Sequence, residues 1–457
     1  MVMEQHKRII LLVLGDCVAA FLAMLAAISL RSHKIPTLED ALELGGVKIS
    51  TFVLIVVFLS FLVEIYKNHH ELITREIAVK IGASLGVSCF VFSFLTYANE
   101  DSLYGRGLLA TAIIIFGLLQ FFFHITYRIC VKSRSLARRV VILGVGPFAG
   151  NMGAIIPESD ENYLLSGYVQ CSNESPQVPP ATILENSGGL LETVKREKVD
   201  KIVVSLTERR GVFPFQEVMA CKLAGVEVMD APSFYEHVTG KLFLEGINPS
   251  WIIFSHGFKV SRLSKVLKRG VDILCASAGI ALTIPFLPLI ALAIKLDSAG
   301  PVFYRQERVG EMEKNFYLYK FRTMRADAES GTGAVWAQKN DSRITRIGEF
   351  FRKVRIDELP QFYNILRGDM SMVGPRPERP EFVKTLKEAI PYYSERHFVK
   401  PGVTGWAQVC YPYGASVEDA VEKLRYDLYY IKNISLSFDL MIILETIQVV
   451  LFRKGAR

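Results

Sequence analysis

The sequence predicts a membrane protein of three parts: a four-helix transmembrane bundle (1–132), a Rossmann-like α/β module (138–240) and a mainly α domain (258–457) containing a re-entrant, proline-broken membrane helix (270–296). The chain has 457 residues, too many for one compact domain, and its 50% hydrophobic content exceeds that of most soluble proteins. Long apolar stretches come first, alternating β-branched and helical stretches follow, and another apolar stretch, interrupted by prolines, opens the last part.

Four stretches near the N-terminus approach the length of about 20 apolar residues that a helix needs to cross the hydrocarbon layer. They are residues 9–30, 49–65, 77–98 and 108–127. The first is longer than a signal-peptide core and no clear small-residue cleavage site follows it, so we expect it to be retained. Asp16, Glu64 and Lys80 interrupt these stretches. We expect them to pair inside the bundle or to reach its ends, rather than to serve transport.

Lysine and arginine flank the predicted bundle on one side, as in cytoplasmic loops. They precede the first segment, separate the second from the third and follow the fourth: Lys7, Arg8, Lys67, Arg75, Arg128, Lys132, Arg134, Arg138 and Arg139. The loop before the fourth segment has only Arg106, although the loop between the first two carries charges of both signs. We predict that both ends of the bundle, and the domain at 258–457, are cytoplasmic.

Net charge and cysteine content limit the classes of binding partner and of cysteine site that the chain is expected to have. The formal net charge of +7 is modest for this length, and no aromatic and basic module for nucleic acid appears, so phosphate substrates and anionic lipid headgroups explain the charge better. The seven cysteines are scattered and never in C-x-x-C spacing. Neither a disulfide framework nor a zinc site is therefore expected.

Short β-branched runs alternating with helical stretches predict the α/β module, with strands at 140–143, 167–171, 201–206 and 226–228. The turn from Gly144 to Ala149 nearly matches a dinucleotide-binding turn, with Ala in the third glycine position. Only Glu174 could serve as the ribose-binding acid after the next strand. Two interpretations stay open: a cofactor site, or a module used for regulation or homodimer contacts.

Residues 273–294 form a fifth apolar stretch that carries Pro285 and Pro288 near its middle. Proline breaks a helix, and both flanks are basic, so both ends are expected in the cytoplasm. A re-entrant helix hairpin accounts for both the break and the two cytoplasmic ends. It requires that polar groups form hydrogen bonds with the backbone groups left unpaired at the break. A proline-kinked full crossing is the alternative. The later helical stretch at 417–451 carries too many charges to span, so it is predicted either to lie on the membrane face or to be buried in the core.

Asp357 and Glu358 form the candidate site. Because proline is tolerated only in the first turn of a helix, Pro360 predicts a helix that starts near Asp357, and Gly368 should end it. Asp357 as N-cap would be an ionised oxygen nucleophile, and Glu358 a hard oxygen ligand for Mg²⁺. Nearby cations could neutralise phosphate: Arg352, Lys353 and Arg355. The alternative is an ordinary capping aspartate in a solvated charged stretch.

Five ordered motifs between residues 262 and 457 resemble the bacterial sugar transferases, which are polyprenyl-phosphate hexose-1-phosphate transferases. The motifs are KLDSAGPVF with RQERVG (295–310), KFRTM (320–324), DELPQ (357–361), GPRP (374–377) and KPGVTGW (400–406). The helical bundle and α/β module ahead of them also resemble the larger members of this family. One departure is that members often have Ser-Pro at the helix break, where this chain has Ile284-Pro285, so Thr283 is expected to supply the hydroxyl.

The resemblance implies that 258–457 is a catalytic domain at the inner membrane of a bacterium. Asp357 would attack the sugar-bearing phosphorus of a nucleotide diphosphate sugar, expected to be UDP-linked, and release UMP. Polyprenyl (undecaprenyl) phosphate would then accept the phosphosugar, a priming step of exopolysaccharide or O-antigen synthesis. Mg²⁺ would be held by Glu358, and phosphate oxygens would be bound by Lys320, Arg322 and Arg376.

Two rival functions are a membrane-anchored nucleotide-sugar dehydratase and a non-catalytic membrane scaffold. Such dehydratases use a Tyr-x-x-x-Lys pair, and none of the 18 tyrosines has Lys four positions later. The intact acid pair and its surrounding cations disfavour the scaffold. The residues that would select one hexose are not evident from the sequence.

Overall fold

The computed structural model is mostly helical, and the chain divides into two units, Met1–Thr239 and Gly240–Arg457. It describes residues 2–32, 46–63, 65–66, 74–98, 106–131, 137–158, 163–171, 175–186, 188–206, 213–247, 252, 254–255, 257–325, 328, 341, 343–411, 414 and 416–452.

The first unit opens with the apolar helices α1 (Val2–Ser32), α2 (Gly46–Leu62), α3 (Thr74–Ala98) and α4 (Arg106–Val131). Small side chains of α1 let large ones pack closely: Ala20, Ala23 and Ala27 lie in one buried cluster with Phe52, Phe92 and Phe116. This buried seam explains why the helices assemble, since apolar faces alone do not drive association in lipid.

Four helical stretches among the described residues are long and apolar enough to cross a membrane. They are Ile9–Arg31, Thr74–Leu95, Gly107–Cys130 and Arg262–Asp297. The sequence also predicts four crossings, but one of the four stretches is different. The predicted crossing at 49–65 forms a helix of 17 residues, which is shorter than the other three. The fourth long stretch is instead the proline-broken segment Arg262–Asp297.

A polar cluster ties the bundle together around Asp16. Its Oδ2 accepts hydrogen bonds from the hydroxyl of Tyr66 at 2.6 Å and from Nε2 of Gln120 at 2.5 Å, and His124 Nε2 lies 3.2 Å from Oδ1. The predicted pairing of Asp16 inside the bundle is confirmed, because a buried carboxylate needs such partners. Glu64 lies outside the described residues.

Replacing Asp16 by alanine is expected to destabilise the bundle by about 1–3 kcal/mol, because three buried polar partners lose their acceptor. Thermal unfolding in detergent measures the change. Ser88→Ala is the matched control, since the described hydrogen bond of the Ser88 hydroxyl goes to Ser84 O of its own helix. Equal melting of the two variants would show that the cluster contributes no stability.

The α/β part contains four parallel strands in the order β2-β1-β3-β4. The strands and their helices are β1 (Arg138–Leu143), α5 (Pro147–Glu158), β2 (Tyr163–Val169), α6 (Leu190–Arg196), β3 (Lys201–Val204), α7 (Phe215–Leu223), β4 (Glu227–Asp230) and α8 (Ala231–Thr239). Strands are therefore found at all four predicted places. One face of the sheet packs on α6 and α7 through Val141, Leu143, Leu190, Val194 and Val218.

The glycine turn after β1 is closely packed. Gly144 has φ +129°, and a Cβ there would stand 2.6 Å from the carbonyl oxygen of Ser205, so only glycine fits. The backbone N–H of Gln177 donates to Val145 O at 2.8 Å, which places a later segment directly on the turn. Glu174, the predicted ribose-binding acid, lies outside the described residues, and cofactor binding stays a prediction.

The second unit begins before the predicted boundary at 258. Leu242 N donates to Arg425 O at 3.1 Å, and Trp406 Nε1 donates to Gly240 O at 2.9 Å.

The elements of the second unit are α9 (Arg262–Thr283), α10 (Leu287–Asp297), β5 (Phe303–Val309), β6 (Asn315–Phe321), α11 (Arg346–Lys353), α12 (Gln361–Arg367), β7 (Ser371–Val373), α13 (Pro380–Ala389), β8 (Gly402–Thr404), α14 (Trp406–Cys410), α15 (Val417–Lys432) and α16 (Leu436–Phe452). Strands β5 and β6 form an antiparallel hairpin, and β7 pairs with β8 in parallel.

The apolar helix is broken where the prolines predict. Helix α9 ends at Thr283, a 3₁₀ turn spans Ile284–Phe286 and includes Pro285, and α10 follows. The expectation for Thr283 is wrong in detail: its hydroxyl donates at 2.6 Å to Gly279 O within α9, because a helical threonine reaches back one turn. A re-entrant path through a membrane stays a prediction.

Helices α15 and α16 pack into the second unit, which favours the buried alternative for 417–451. Leu428, Tyr430 and Ile442 are buried. The charge of Asp439 is compensated by Lys268 of α9, whose Nζ lies 2.9 Å from Oδ2, and by the Tyr430 hydroxyl at 2.7 Å from Oδ1.

Candidate active site

Asp357 and Glu358 lie in a 3₁₀ turn, Ile356–Glu358, between α11 and α12. Arg355 precedes it with φ +59°, a left-handed conformation that is unusual for a residue other than glycine. This reversal ends α11 sharply and aims both carboxylates back toward the body of the unit. Such backbone strain is concentrated at functional sites.

The prediction that Asp357 caps the following helix is wrong. Pro360 is the N-cap of α12, and backbone carbonyls satisfy the N–H groups around it: Glu358 N donates to Arg355 O, Leu359 N to Ile356 O, and Phe362 N to Leu359 O. The turn therefore leaves no capping role for the Asp357 side chain. Gly368 ends α12 with φ +99°, as predicted.

Glu358 is buried and meets three cations at one oxygen. Its Oε1 lies 2.9 Å from Arg376 Nη2, 3.3 Å from Lys320 Nζ and 3.6 Å from Arg355 Nη1. Burial alone would raise the pKa of this carboxyl, but Arg376, Lys320 and Arg355 together hold the pKa well below its usual range. The carboxylate form of Glu358 is therefore favoured, and it brings three cationic side chains together. Their binding of phosphate stays a prediction.

Asp357 differs from Glu358 in that one of its carboxylate oxygens accepts no hydrogen bond from the described residues. The residue is buried, and Oδ1 has no hydrogen-bond partner among the described residues. Burial raises the pKa of Asp357 and the Glu358 carboxylate adds to this, while the charge of Lys320 opposes it. A buried carboxylate oxygen that lacks donors is weakly solvated, which suits a nucleophile.

Arg376 is carried by a loop that is fixed through its carbonyl groups. Pro375 and Pro377 flank it and have no N–H to donate. Four consecutive carbonyl oxygens accept hydrogen bonds: Pro375 O from Gly402 N at 2.9 Å, Arg376 O from Arg396 Nη2 at 3.0 Å, Pro377 O from Arg308 Nη1 at 2.9 Å, and Glu378 O from Val309 N at 2.9 Å.

The remaining predicted cations occupy different places. Arg352 donates from Nε to Thr323 Oγ1 at 2.9 Å, and its charge still lowers the pKa of Asp357. Lys353 turns away to pair with Glu349 at 2.7 Å. The described side-chain hydrogen bonds of Arg322 go to Ser298, and its Nε and Nη1 are buried with no partner among the described residues. Phosphate binding by Arg322 stays a prediction.

Two residues that the sequence analysis did not single out hold the site together. Asn364 of α12 is fully buried and bonds β6 twice: Oδ1 accepts from Tyr319 N at 3.1 Å, and Nδ2 donates to Tyr317 O at 2.8 Å. This fixes the strand that carries Lys320. Arg396 holds the carbonyl of Arg376. No motif marks either residue, because their role depends on packing between distant segments.

The carboxylates of Asp357 and Glu358 are the candidate ligands of a magnesium ion. No group of three or more His, Cys, Asp or Glu side chains comes together in the described part of the chain. Mg²⁺ is commonly held by one or two carboxylates together with substrate phosphates, and Asp357 and Glu358 supply two. The described side-chain bonds and ion pairs of Glu358 all fall on Oε1, so Oε2 is the oxygen that a metal would take.

The carboxylate turn lies beside the broken apolar helix. A Cβ on Gly279 of α9 would stand 2.4 Å from the ring of Phe362, so α9 and α12 are in direct contact. Away from this contact the broken helix exposes large apolar side chains: Leu274, Leu282, Phe286, Leu289, Leu292 and Leu296. An exposed apolar surface of this length indicates contact with lipid.

Acidification should destabilise the second unit through His397, which follows Arg396. Burial and the Arg396 charge lower the pKa of His397 to about 4. The unfolded chain binds this proton more readily than the folded chain. The contribution of His397 to the free energy of unfolding is therefore fully present above the ordinary pKa of about 6.5, and it falls by about 2 kcal/mol between pH 7.5 and pH 5. Thermal unfolding at several pH values measures the slope. His397→Gln should flatten it, and an unchanged slope would contradict the assignment.

Comparisons with known proteins agree with these observations. A family model described as bacterial sugar transferase matches residues 263–453. A UDP-N-acetylgalactosamine-undecaprenyl-phosphate N-acetylgalactosaminephosphotransferase of Aeromonas hydrophila is 41% identical over 57% of this chain and 61% of its own length. A UDP-glucose:undecaprenyl-phosphate glucose-1-phosphate transferase of Escherichia coli (strain K12) is 39% identical over 56% of each chain.

A third relative is covered almost completely. The exopolysaccharide production protein PSS of Rhizobium leguminosarum bv. phaseoli is 42% identical over 40% of this chain and 94% of its own length. The matched part of this chain thus covers less than two thirds of the length of the first two relatives and nearly the whole length of the third.

Proposed function

Because the chain belongs to the bacterial sugar transferase family, we propose that it transfers a hexose 1-phosphate from a nucleotide diphosphate sugar to polyprenyl phosphate. The names of the relatives from Aeromonas hydrophila and Escherichia coli point to a UDP-linked donor and to undecaprenyl phosphate as acceptor. The reaction would prime the synthesis of an exopolysaccharide or O-antigen at the cytoplasmic face of the inner membrane.

The single observation that carries this proposal is the buried Asp357, whose Oδ1 has no partner in the described part of the chain, beside a glutamate that gathers three cations. In the first step Oδ1 attacks the sugar-bearing phosphorus. A P–O bond to the aspartate forms, the P–O bond to the nucleotide breaks, and UMP leaves with its electron pair. A carboxylate nucleophile thereby divides one difficult phosphoryl transfer into two easier ones.

In the second step a phosphate oxygen of the lipid attacks the same phosphorus, and the aspartyl carboxylate leaves. Both attacks bring anions together, so fixed cations must offset the repulsion. Lys320 and Arg376 face Glu358 from β6 and from the proline-flanked loop, and Arg355 joins them from the adjacent turn. Mg²⁺, held by Glu358 together with the donor phosphates, would supply further charge neutralisation when bound.

The broken apolar helix supports a lipid acceptor. A polyprenyl phosphate has its headgroup at the membrane surface, and Gly279 of this helix touches the α12 helix that follows the carboxylate turn. A segment that enters and leaves the cytoplasmic leaflet would hold the site at the depth of that headgroup, while the nucleotide sugar arrives from the cytosol. One site can then meet both substrates.

The test is UMP release by the purified protein from a panel of UDP-sugars, with and without undecaprenyl phosphate. We expect UMP with one or a few of the sugars, together with a phosphosugar-linked lipid. A dehydratase would modify the sugar without releasing UMP, and a scaffold would leave the donor unchanged. Either result would refute the proposal.

A further inference from the structure

A buried ion pair lies behind the loop that carries Arg376 and has no part in the steps described above. Arg396, in the 3₁₀ turn Tyr393–Phe398, meets Asp427 of α15 at 2.8 Å, and only 6% and 3% of their side chains are exposed. Moving two charges into a protein interior costs several kcal/mol per ion, and their attraction often does not recover it. Fold stability alone therefore explains this pair poorly.

The guanidinium of Arg396 joins three groups. Nη2 donates both to Asp427 Oδ2 at 2.8 Å and to the carbonyl oxygen of Arg376 at 3.0 Å, and Nη1 donates to the hydroxyl of Tyr393 at 2.6 Å. A planar guanidinium can serve three acceptors at fixed angles, which a lysine ammonium on a flexible stem does less well. The carbonyl of Arg376 is thus tied to α15 through one rigid side chain.

The other end of Arg376 reaches the carboxylate turn. Its Nη2 donates to Glu358 Oε1 at 2.9 Å, and Asp357 adjoins Glu358 in the chain. An unbroken series of contacts therefore runs from Asp427 through Arg396 and Arg376 to Glu358. Neighbouring Pro375 and Pro377 cannot donate backbone hydrogen bonds, so the loop is held largely through its carbonyl oxygens.

We propose that Arg396, oriented by Asp427, is a positioning residue for Arg376 in the transfer reaction. This proposal rests on the proposed function. Arg396 fixes the backbone of Arg376, so that the guanidinium of Arg376 meets Glu358 and the donor diphosphate in one geometry. A displacement of about 1 Å at such a group can cost on the order of 100-fold in rate.

The test is a double-mutant cycle that measures kcat/KM for the UDP-sugar. Arg396→Lys should lose about 10-fold and the paired variant Arg396→Met with Asp427→Leu about 100-fold. The paired variant removes both buried charges, so it should still fold with a midpoint near that of the parent. In an Arg376→Ala background neither change should reduce kcat/KM further, because the group being positioned is already gone.

Arg425→Lys is the matched control: it lies on the same helix as Asp427, and its described ion pairs go to Glu245 and Glu422. Its kcat/KM should stay near that of the parent protein. Losses that multiply in the Arg376→Ala background, or full activity of the paired variant, would overturn the positioning role while the proposed function stands. An inactive parent protein would instead refute the proposed function, and this role with it.

Discussion

Asp357→Asn is expected to abolish turnover while the protein still folds. Asparagine has nearly the same volume, but its amide oxygen is a poor nucleophile and cannot form the aspartyl phosphosugar. Removing a nucleophile that acts as part of a unit costs on the order of 10⁴-fold or more in kcat. UMP release measures the loss, and thermal unfolding measures the fold. Loss of a buried, raised-pKa carboxylate should leave the midpoint unchanged or slightly higher.

The covalent intermediate gives an independent measurement. With donor labelled in the sugar-bearing phosphate and the lipid acceptor omitted, rapid quenching should capture label on the parent protein and none on Asp357→Asn. Asp369→Asn is the control: Asp369 pairs with the half-exposed Arg367 and accepts a hydrogen bond from Asn364 Nδ2 at 3.4 Å, which an amide oxygen can also accept, so both label and activity should remain. Full turnover in Asp357→Asn would contradict the nucleophile assignment, and so would direct transfer with no label on the chain.

Glu358→Gln is expected to produce the second largest loss, about 100-fold in kcat/KM, because preorganised charge is the main source of catalysis in phosphoryl transfer. The change removes the common partner of Lys320, Arg355 and Arg376, so the cations repel each other and separate. It also removes the proposed metal ligand. The Mg²⁺ concentration that gives half-maximal UMP release should therefore rise.

Glu349→Gln is the matched control for this change. Glu349 lies on the preceding helix α11, is largely exposed and pairs only with Lys353 among the described residues. Exposed ion pairs of this kind contribute little, so activity and Mg²⁺ dependence should match those of the parent. If Glu358→Gln kept its full rate but required more Mg²⁺, the glutamate would be a metal ligand without an organising role for the cations.

Much of the fold follows from local properties of the chain. The length of the apolar stretches predicts helices α1, α3 and α4, and β-branched runs predict the four strands of the parallel sheet. Pro285 predicts the break between α9 and α10, and Gly368 predicts the end of α12. Each of these rests on the conformational limits of a few neighbouring residues, which a linear pattern records.

The site is predicted less completely. The cations Lys320, Arg355 and Arg376 gather at Glu358, while their binding of phosphate stays a prediction. The capping role of Asp357 is wrong, because the left-handed Arg355 starts a turn that no pattern in the sequence marks. Arg322 and Lys353 are also basic and lie within or near the motifs, yet their described side-chain bonds go to Ser298 and Glu349.

The sequence by itself determined which chemical groups the chain carries: a carboxylate pair, nearby cations and an apolar helix that proline must break, all read from residue type and spacing. Only the tertiary structure decided which cations share Glu358, that Oδ1 of Asp357 has no partner within the described ranges, and that Arg396 bonds both Asp427 and the carbonyl oxygen of Arg376. These contacts join segments far apart in the chain. Their distances are set by how helices and strands pack, and side-chain direction at such contacts is not encoded in any short stretch.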